Sequence, residues 1–97
     1  MRIISRKTLR EFTVRHPQSK QSLDDWYDMA LRAKWDTPAD IKQVARSVDI
    51  LPDNRVVFNI SGNHYRLILK IEYEFRIIYI RFIGTHDDYD RVDATTI

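Results

Sequence analysis

Ninety-seven residues, 43% hydrophobic and 31% charged, are enough for one modest core but not two, and far too apolar for a disordered chain. No apolar run approaches the roughly 20 residues a membrane-spanning helix needs, and the absence of cysteine removes disulfides and thiolate metal sites from consideration. Net charge is only +2, but residues 1–20 hold six Lys or Arg against one acid and residues 55–85 hold five against two, while 21–54 and 86–97 are acidic. The basic segments can attract a polyanion, although a chain this balanced is not a nucleic-acid binder driven by charge alone. Charged residues follow Met1-Arg2-Ile3-Ile4 at once, so no signal peptide is expected and a cytoplasmic location is.

In chain order, Arg2-Ile3-Ile4 is a short strand candidate for a sheet edge. Ser5 is placed to cap a helix running to about His16, with Leu9 and Phe12 inward and Pro17 enforcing the stop. Arg6, Lys7 and Arg10 fall on its polar side, either as contacts for a phosphate backbone or as an ordinary solvated face. A second helix from Ser19 or Ser22 to about Lys34 carries Leu23, Trp26, Tyr27, Ala30 and Leu31 at three-and-four spacing, one stripe to pack on a sheet. Thr37-Pro38-Ala39-Asp40 reads as N-cap, N1 proline and N3 acid of a third helix with Ile41, Val44 and Ala45 inward. Leu51-Pro52-Asp53-Asn54 is a turn.

Three runs rich in β-branched and aromatic residues follow: RVVFNI, HYRLILKIEY and IIYIRFIGT. If Gly62 and Asn63 form the hairpin turn, Ile60 faces Tyr65, Phe58 faces Leu67 and Val56 faces Leu69, an apolar face throughout. The other face then pairs Asn59 with Arg66 and Arg55 with Lys70. An even loop at Glu74-Phe75 extends the apolar face through Ile71–Ile78, Leu69–Ile80 and Leu67–Phe82. The same register sets Lys70 beside Tyr79 and Arg81 beside Ile68, leaving Val57, Ile68, Ile77 and Ile83 among the cations. Like charges at neighbouring sheet positions repel, and nothing in this stretch of sequence neutralises them, so the cluster suits a polyanion. The apolar members of that face predict cover by Val92 to Ile97 or by a docked partner. Thr85 with Asp88 three residues on reads as a cap that opens a short helix carrying His86 and Tyr89 on one side. His16 and His64, at a helix end and a hairpin turn, read as structural.

The fold class these elements define is α+β: one domain over residues 1–97, with a small, mainly antiparallel sheet, helices packed on one face and an open basic face. The series V-F-N-I-x-G-N-x-Y-R-L at Val57 to Leu67, then Y-I-R-F-I-G-T-H at Tyr79 to His86, then Tyr89-Asp90, resembles the HigB-type toxins of bacterial toxin–antitoxin systems, within the RelE-like superfamily of mRNA interferases. Asp88 stands where the family form carries Glu. The resemblance implies an endoribonuclease that cuts translated mRNA in the ribosomal A site of the 30S subunit. It also implies a HigA-type helix-turn-helix antitoxin as partner, with operator DNA reached only through that antitoxin. The alternative is an inert member that binds RNA or antitoxin without cutting.

The chemistry of RNA self-cleavage assigns the roles. A 2′-hydroxyl attacks the adjacent phosphodiester if one group takes its proton, cations stabilise the phosphorane, and another group protonates the departing 5′-oxygen. Arg66, Lys70 and Arg81 suit the phosphorane, His86 the proton transfer, and Tyr89 orientation or proton sharing. Arg55, Asn59, Tyr79, Arg6, Lys7 and Arg10 are the further RNA-binding candidates. No cofactor or metal is expected. The rival, magnesium held by Asp87, Asp88, Asp90 and Asp93, is disfavoured because these carboxylates spread around a short helix and capping accounts for the first two.

Overall fold

The structure is a computed structural model describing residues 1–97. Nine elements follow one another: β1 (Arg2–Ile4), α1 (Arg6–Arg15), α2 (Lys20–Arg32), α3 (Pro38–Val44), β2 (Asp49–Leu51), β3 (Arg55–Ile60), β4 (Tyr65–Glu72), β5 (Ile77–Thr85) and α4 (His86–Asp90). A single 3₁₀ turn at Pro17–Ser19 joins α1 to α2, where proline lacks the amide a continuing helix needs. The sheet runs β1-β5-β4-β3-β2, antiparallel except for β1, which lies parallel to β5. The fold is thus α+β, with α1 and α2 against one face of a five-stranded open sheet. No helix is long and apolar enough to cross a membrane.

The core forms where the helical stripes meet the apolar sheet face. Phe58 stands between two tryptophans, edge-on to Trp26 with ring centroids 5.8 Å apart and stacked on Trp35 at 6.0 Å. At the other end Phe12 of α1 packs edge-on to Tyr65 at 5.3 Å and stacks on His16 at 4.4 Å. Leu67, Leu69, Ile71 and Ile78 are completely buried beneath them. Each such side chain contributes roughly 1.5–3 kcal/mol relative to exposure.

Expected pairings hold across the first hairpin, from Ile60 opposite Tyr65 to Arg55 opposite Lys70. The turn differs in detail, because positive φ falls on Ser61 and Gly62 rather than on Gly62 and Asn63. Between β4 and β5 the pairs Ile71–Ile78, Lys70–Tyr79 and Leu69–Ile80 are as expected, and then the register shifts. Ile68 opposes Phe82 and Leu67 opposes Ile83, so Leu67–Phe82 is not a pair. The shift is a β-bulge in which Arg81 is the extra residue. Beyond it Phe82 belongs to the face away from α1 and α2, while Ile83 joins the core, the reverse of their expected sides.

Smaller differences have local causes. Ser5 precedes α1 in the left-handed region, φ 76°, and makes no side-chain cap; its carbonyl accepts from Thr8 N at 3.0 Å. Leu31 and Val44, in the last turns of α2 and α3, are 45% and 63% exposed rather than inward. Asp49–Leu51 forms the edge strand β2, a three-residue element too short to carry a period. The third helix starts as expected, with the Asp40 carboxylate accepting from Thr37 N at 3.2 Å.

Candidate RNA-cleaving site

Strand alternation along β3 and β4 turns Arg55, Asn59, Arg66 and Lys70 away from α1 and α2. Arg66 and Lys70 lie four residues apart on one strand, roughly 13 Å at the usual rise per residue. Lys70 faces Tyr79 across the ladder, Arg66 faces Gly84, and Arg81 enters at the bulge between them. The three cations thus line one face of the sheet, all at least partly accessible.

Gly84 decides how the end of this row is closed. A Cβ there would lie 2.5 Å from Cζ of Phe82 and 2.9 Å from Cβ of Asp88, distances that side chains do not tolerate. Glycine therefore lets the Phe82 ring and the first turn of α4 both sit down on the strand. The cap then fixes α4: Asp88 N donates to Thr85 Oγ1 at 3.2 Å, and Thr85 N donates to Asp88 Oδ2 at 3.2 Å. These bonds to Thr85 hold the Asp88 carboxyl below the usual carboxylate range, with Arg91 and His16 adding to the effect. Aspartate at this position therefore reaches its backbone partner.

With α4 so placed, the Tyr89 ring centre lies 5.9 Å from the Arg66 guanidinium carbon. His86, at the start of the same helix, is exposed, and its Nδ1 lies 3.3 Å from Asp90 Oδ2, one helical turn on. Asp90 approaches the Nδ1 side of the ring, which leaves Nε2 turned away from that carboxylate. Asp93, by contrast, is occupied with Thr95, whose hydroxyl first and then its amide, at 2.9 Å, donate to the carboxylate and hold its pKa down.

One correction concerns charge. Asp53, in the turn before β3, binds Arg55 Nη1 at 2.7 Å and lies 3.5 Å from Lys70 Nζ, so the cluster is partly neutralised. The Arg55 hydrogen bond, followed by Lys70, holds the Asp53 carboxyl below its ordinary range. Arg66 has no Asp or Glu partner and its Nη1 bonds only to the carbonyls of Asn63 and Tyr65, while Arg81 Nε donates to the oxygen of Ile97 at 3.3 Å. The charge of Arg66 stays available to a ligand.

Tyr89 thus meets Arg66 at the end where β5 runs into α4 and His86, Arg81 stands mid-row, and Lys70 and Tyr79 form the far end. Arg55 is only 5% exposed, so it is not the open RNA contact expected of it. Asn59 is half-buried, its Nδ2 3.5 Å from the carbonyl of Ser47. Arg6, Lys7 and Arg10 sit on α1, across the sheet from the row: Arg6 lies 4.2 Å above the Tyr27 ring and Lys7 pairs with Glu11. The structure does not bring these three to the site. Sequence reasoning gave no site role to Asp53 or Gly84 and weighed Asp90 only as a rival metal ligand. The i,i+4 spacing of His86 and Asp90 is readable in advance, whereas Gly84 needs α4 in place before its lack of a side chain has meaning.

An α+β domain built on an open, mostly antiparallel five-stranded sheet is consistent with the class of RelE-like toxins. Residues 19–92 match the model of the HigB toxin family, described as the RelE-like toxic component of a toxin–antitoxin system. Across 92 residues the chain is 30% identical to the mRNA interferase toxin HigB of Escherichia coli K12, covering 93% of this chain and 88% of the relative. The same identity and coverage hold for the proteins named mRNA interferase HigB in Escherichia coli O157:H7 and Shigella flexneri. The chain belongs to the HigB family of RelE-like toxins.

Proposed function

We propose that this chain is an endoribonuclease that cleaves mRNA on the ribosome, at the A site, by attack of the 2′-hydroxyl on the neighbouring phosphodiester. The observation that carries the reading is the placement of Tyr89 against Arg66, with the His86–Asp90 pair on the same short helix as Tyr89. The 2′-oxygen forms a bond to phosphorus as its proton leaves, and the bond to the 5′-oxygen breaks as that oxygen gains a proton. The products are a 2′,3′-cyclic phosphate and a 5′-hydroxyl. His86 Nε2 exchanges one of these protons, Tyr89 orients the nucleotide against Arg66, and Arg66 and Arg81 stabilise the phosphorane charge without reorganising. Lys70, tied loosely to Asp53, contacts an adjoining phosphate.

Few groups suffice because a ribosome-held message arrives already aligned, and alignment alone is worth many orders of magnitude in effective concentration. Outside translation the toxin is held by a helix-turn-helix antitoxin of the HigA type, through which it reaches operator DNA.

An in vitro translation reaction tests this. New mRNA 5′ ends should appear beside A-site codons, and His86→Ala or Arg81→Ala should reduce their rate by about 10²–10³. Translation blocked over unbroken mRNA would instead identify an RNA- or antitoxin-binding member without catalysis.

A further inference from the structure

At the tip of the β3–β4 hairpin an open cleft of about 320 Å³ is lined by Gln18, Ser61, His64 and Tyr65. That volume falls within the range of roughly 300–1,000 Å³ in which proteins hold small ligands. Part of the lining is aromatic. The rings of Phe12, His16, Tyr65 and His64 succeed one another from the core to the hairpin tip, with centroids 4.4, 5.7 and 6.3 Å apart in turn. Tyr65 is buried, whereas His64 and Gln18 are exposed. The rest of the lining is polar. Ser61 donates its hydroxyl to Ser22 Oγ of α2 at 2.8 Å, a bond that ties the tip to the helical layer and leaves the Ser61 oxygen able to accept. Gln18, from the 3₁₀ turn, brings an amide that both donates and accepts.

A flat ring with a hydrogen-bonding edge matches such a lining. Unpaired bases stack on aromatic and histidine side chains and offer their edges to amides and hydroxyls. The cleft also adjoins the row of cations. Arg66, the residue after Tyr65, donates to the Asn63 carbonyl in the same turn at 3.1 Å. Tyr65 itself is paired across the ladder with Thr85, the cap of α4. The hairpin tip thus joins the cleft to the end of the sheet at which Tyr89 meets Arg66.

We propose that Gln18, Ser61, His64 and Tyr65 form a subsite for one base of the RNA strand, next to the nucleotide held by Arg66 and Tyr89, in which His64 stacks on the base and Gln18 reads its edge. The inference rests on the RNA reading given above and adds to it a source of sequence preference.

The test is cleavage mapping in a bacterial translation reaction programmed with an mRNA library randomised at and around the A-site codon. The parent chain should prefer one base at one position by about tenfold, and Gln18→Ala should flatten that preference by lowering the favoured messages to the level of the rest. His64→Ala should slow cleavage of every message about tenfold, read as a higher protein concentration at half-maximal rate. His64→Phe, which keeps a stacking face, should restore it. Both side chains are exposed, so circular dichroism should find all three variants folded like the parent. A parent that cuts without base preference, or a preference that survives Gln18→Ala, would overturn the subsite and leave the nuclease reading intact. Failure of His64→Phe to restore cleavage would likewise overturn it. Messages left unbroken by the parent chain would overturn the nuclease reading, and the subsite with it.

Discussion

Asp88 shows how much of this site rests on a single exposed carboxylate. Its carboxyl makes no contact with the proposed phosphate path, yet it fixes the N-terminus of α4, and α4 carries both His86 and Tyr89. Its folded-state pKa is depressed by the bonds to Thr85, so the stabilisation is present above the unfolded carboxyl value of about 3.9 and is lost as pH falls through the folded value. An NMR titration should show the Thr85 amide shifting in acid below that ordinary value, and Asp88→Asn should remove the transition. The exposed position limits the energetic cost of Asp88→Ala to under about 1 kcal/mol in urea unfolding. Cleavage should suffer more, by roughly tenfold to a hundredfold, because displacing catalytic groups by an ångström is costly even where the fold survives.

At the level of elements, β5 faces a conflict of parity. It supplies Ile78, Ile80 and Ile83 to the core, and regular alternation would put Ile83 on the side opposite the other two. The bulge resolves the conflict by inserting Arg81 between Ile80 and Phe82 as a residue with no partner. Deleting Arg81 should therefore restore plain alternation, with Phe82 still opposite Ile68 and Ile83 still opposite Leu67. We expect a folded protein whose stability lies within about 1–2 kcal/mol of the parent by urea titration, with cleavage reduced at least as much as by Arg81→Ala. Gly84→Ala should behave differently. The new methyl meets Phe82 and Asp88 at once, so the strand or α4 must shift, at a cost of about 1–3 kcal/mol in urea midpoint and a loss of cleavage beyond that.

Across the whole molecule, one aromatic stack joins the helical layer to the sheet. Phe58 on β3 meets Trp26 from α2 and Trp35 from the segment before α3, so it ties three separate parts of the chain together. Phe58→Ala should cost about 3–5 kcal/mol, a large share of the roughly 5–15 kcal/mol that holds a domain of this kind. Chemical denaturation with far-ultraviolet circular dichroism will measure it. The functional row stands on the other side of the same strands, so this variant should lose activity only in proportion to the fraction unfolded.

Sequence alone determined the strand phase of the first hairpin, because a period of two leaves only one side for Val56, Phe58 and Ile60, and the turn at Gly62 fixes their partners. It also determined the two capped helices at Thr37 and Thr85, whose signals are contained within four residues. The bulge was not legible, since Phe82 and Ile83 are both apolar and either one satisfies the core in a pattern of alternation. Nor was the fate of Arg55, which depends on the Ile97 oxygen, 42 residues along the chain, and on a turn aspartate that periodicity has no means to place. Local chemistry sets which residues can share a face. Only tertiary packing decides which of those charges remain open to a ligand, because burial and pairing depend on what the distant chain brings to rest against them.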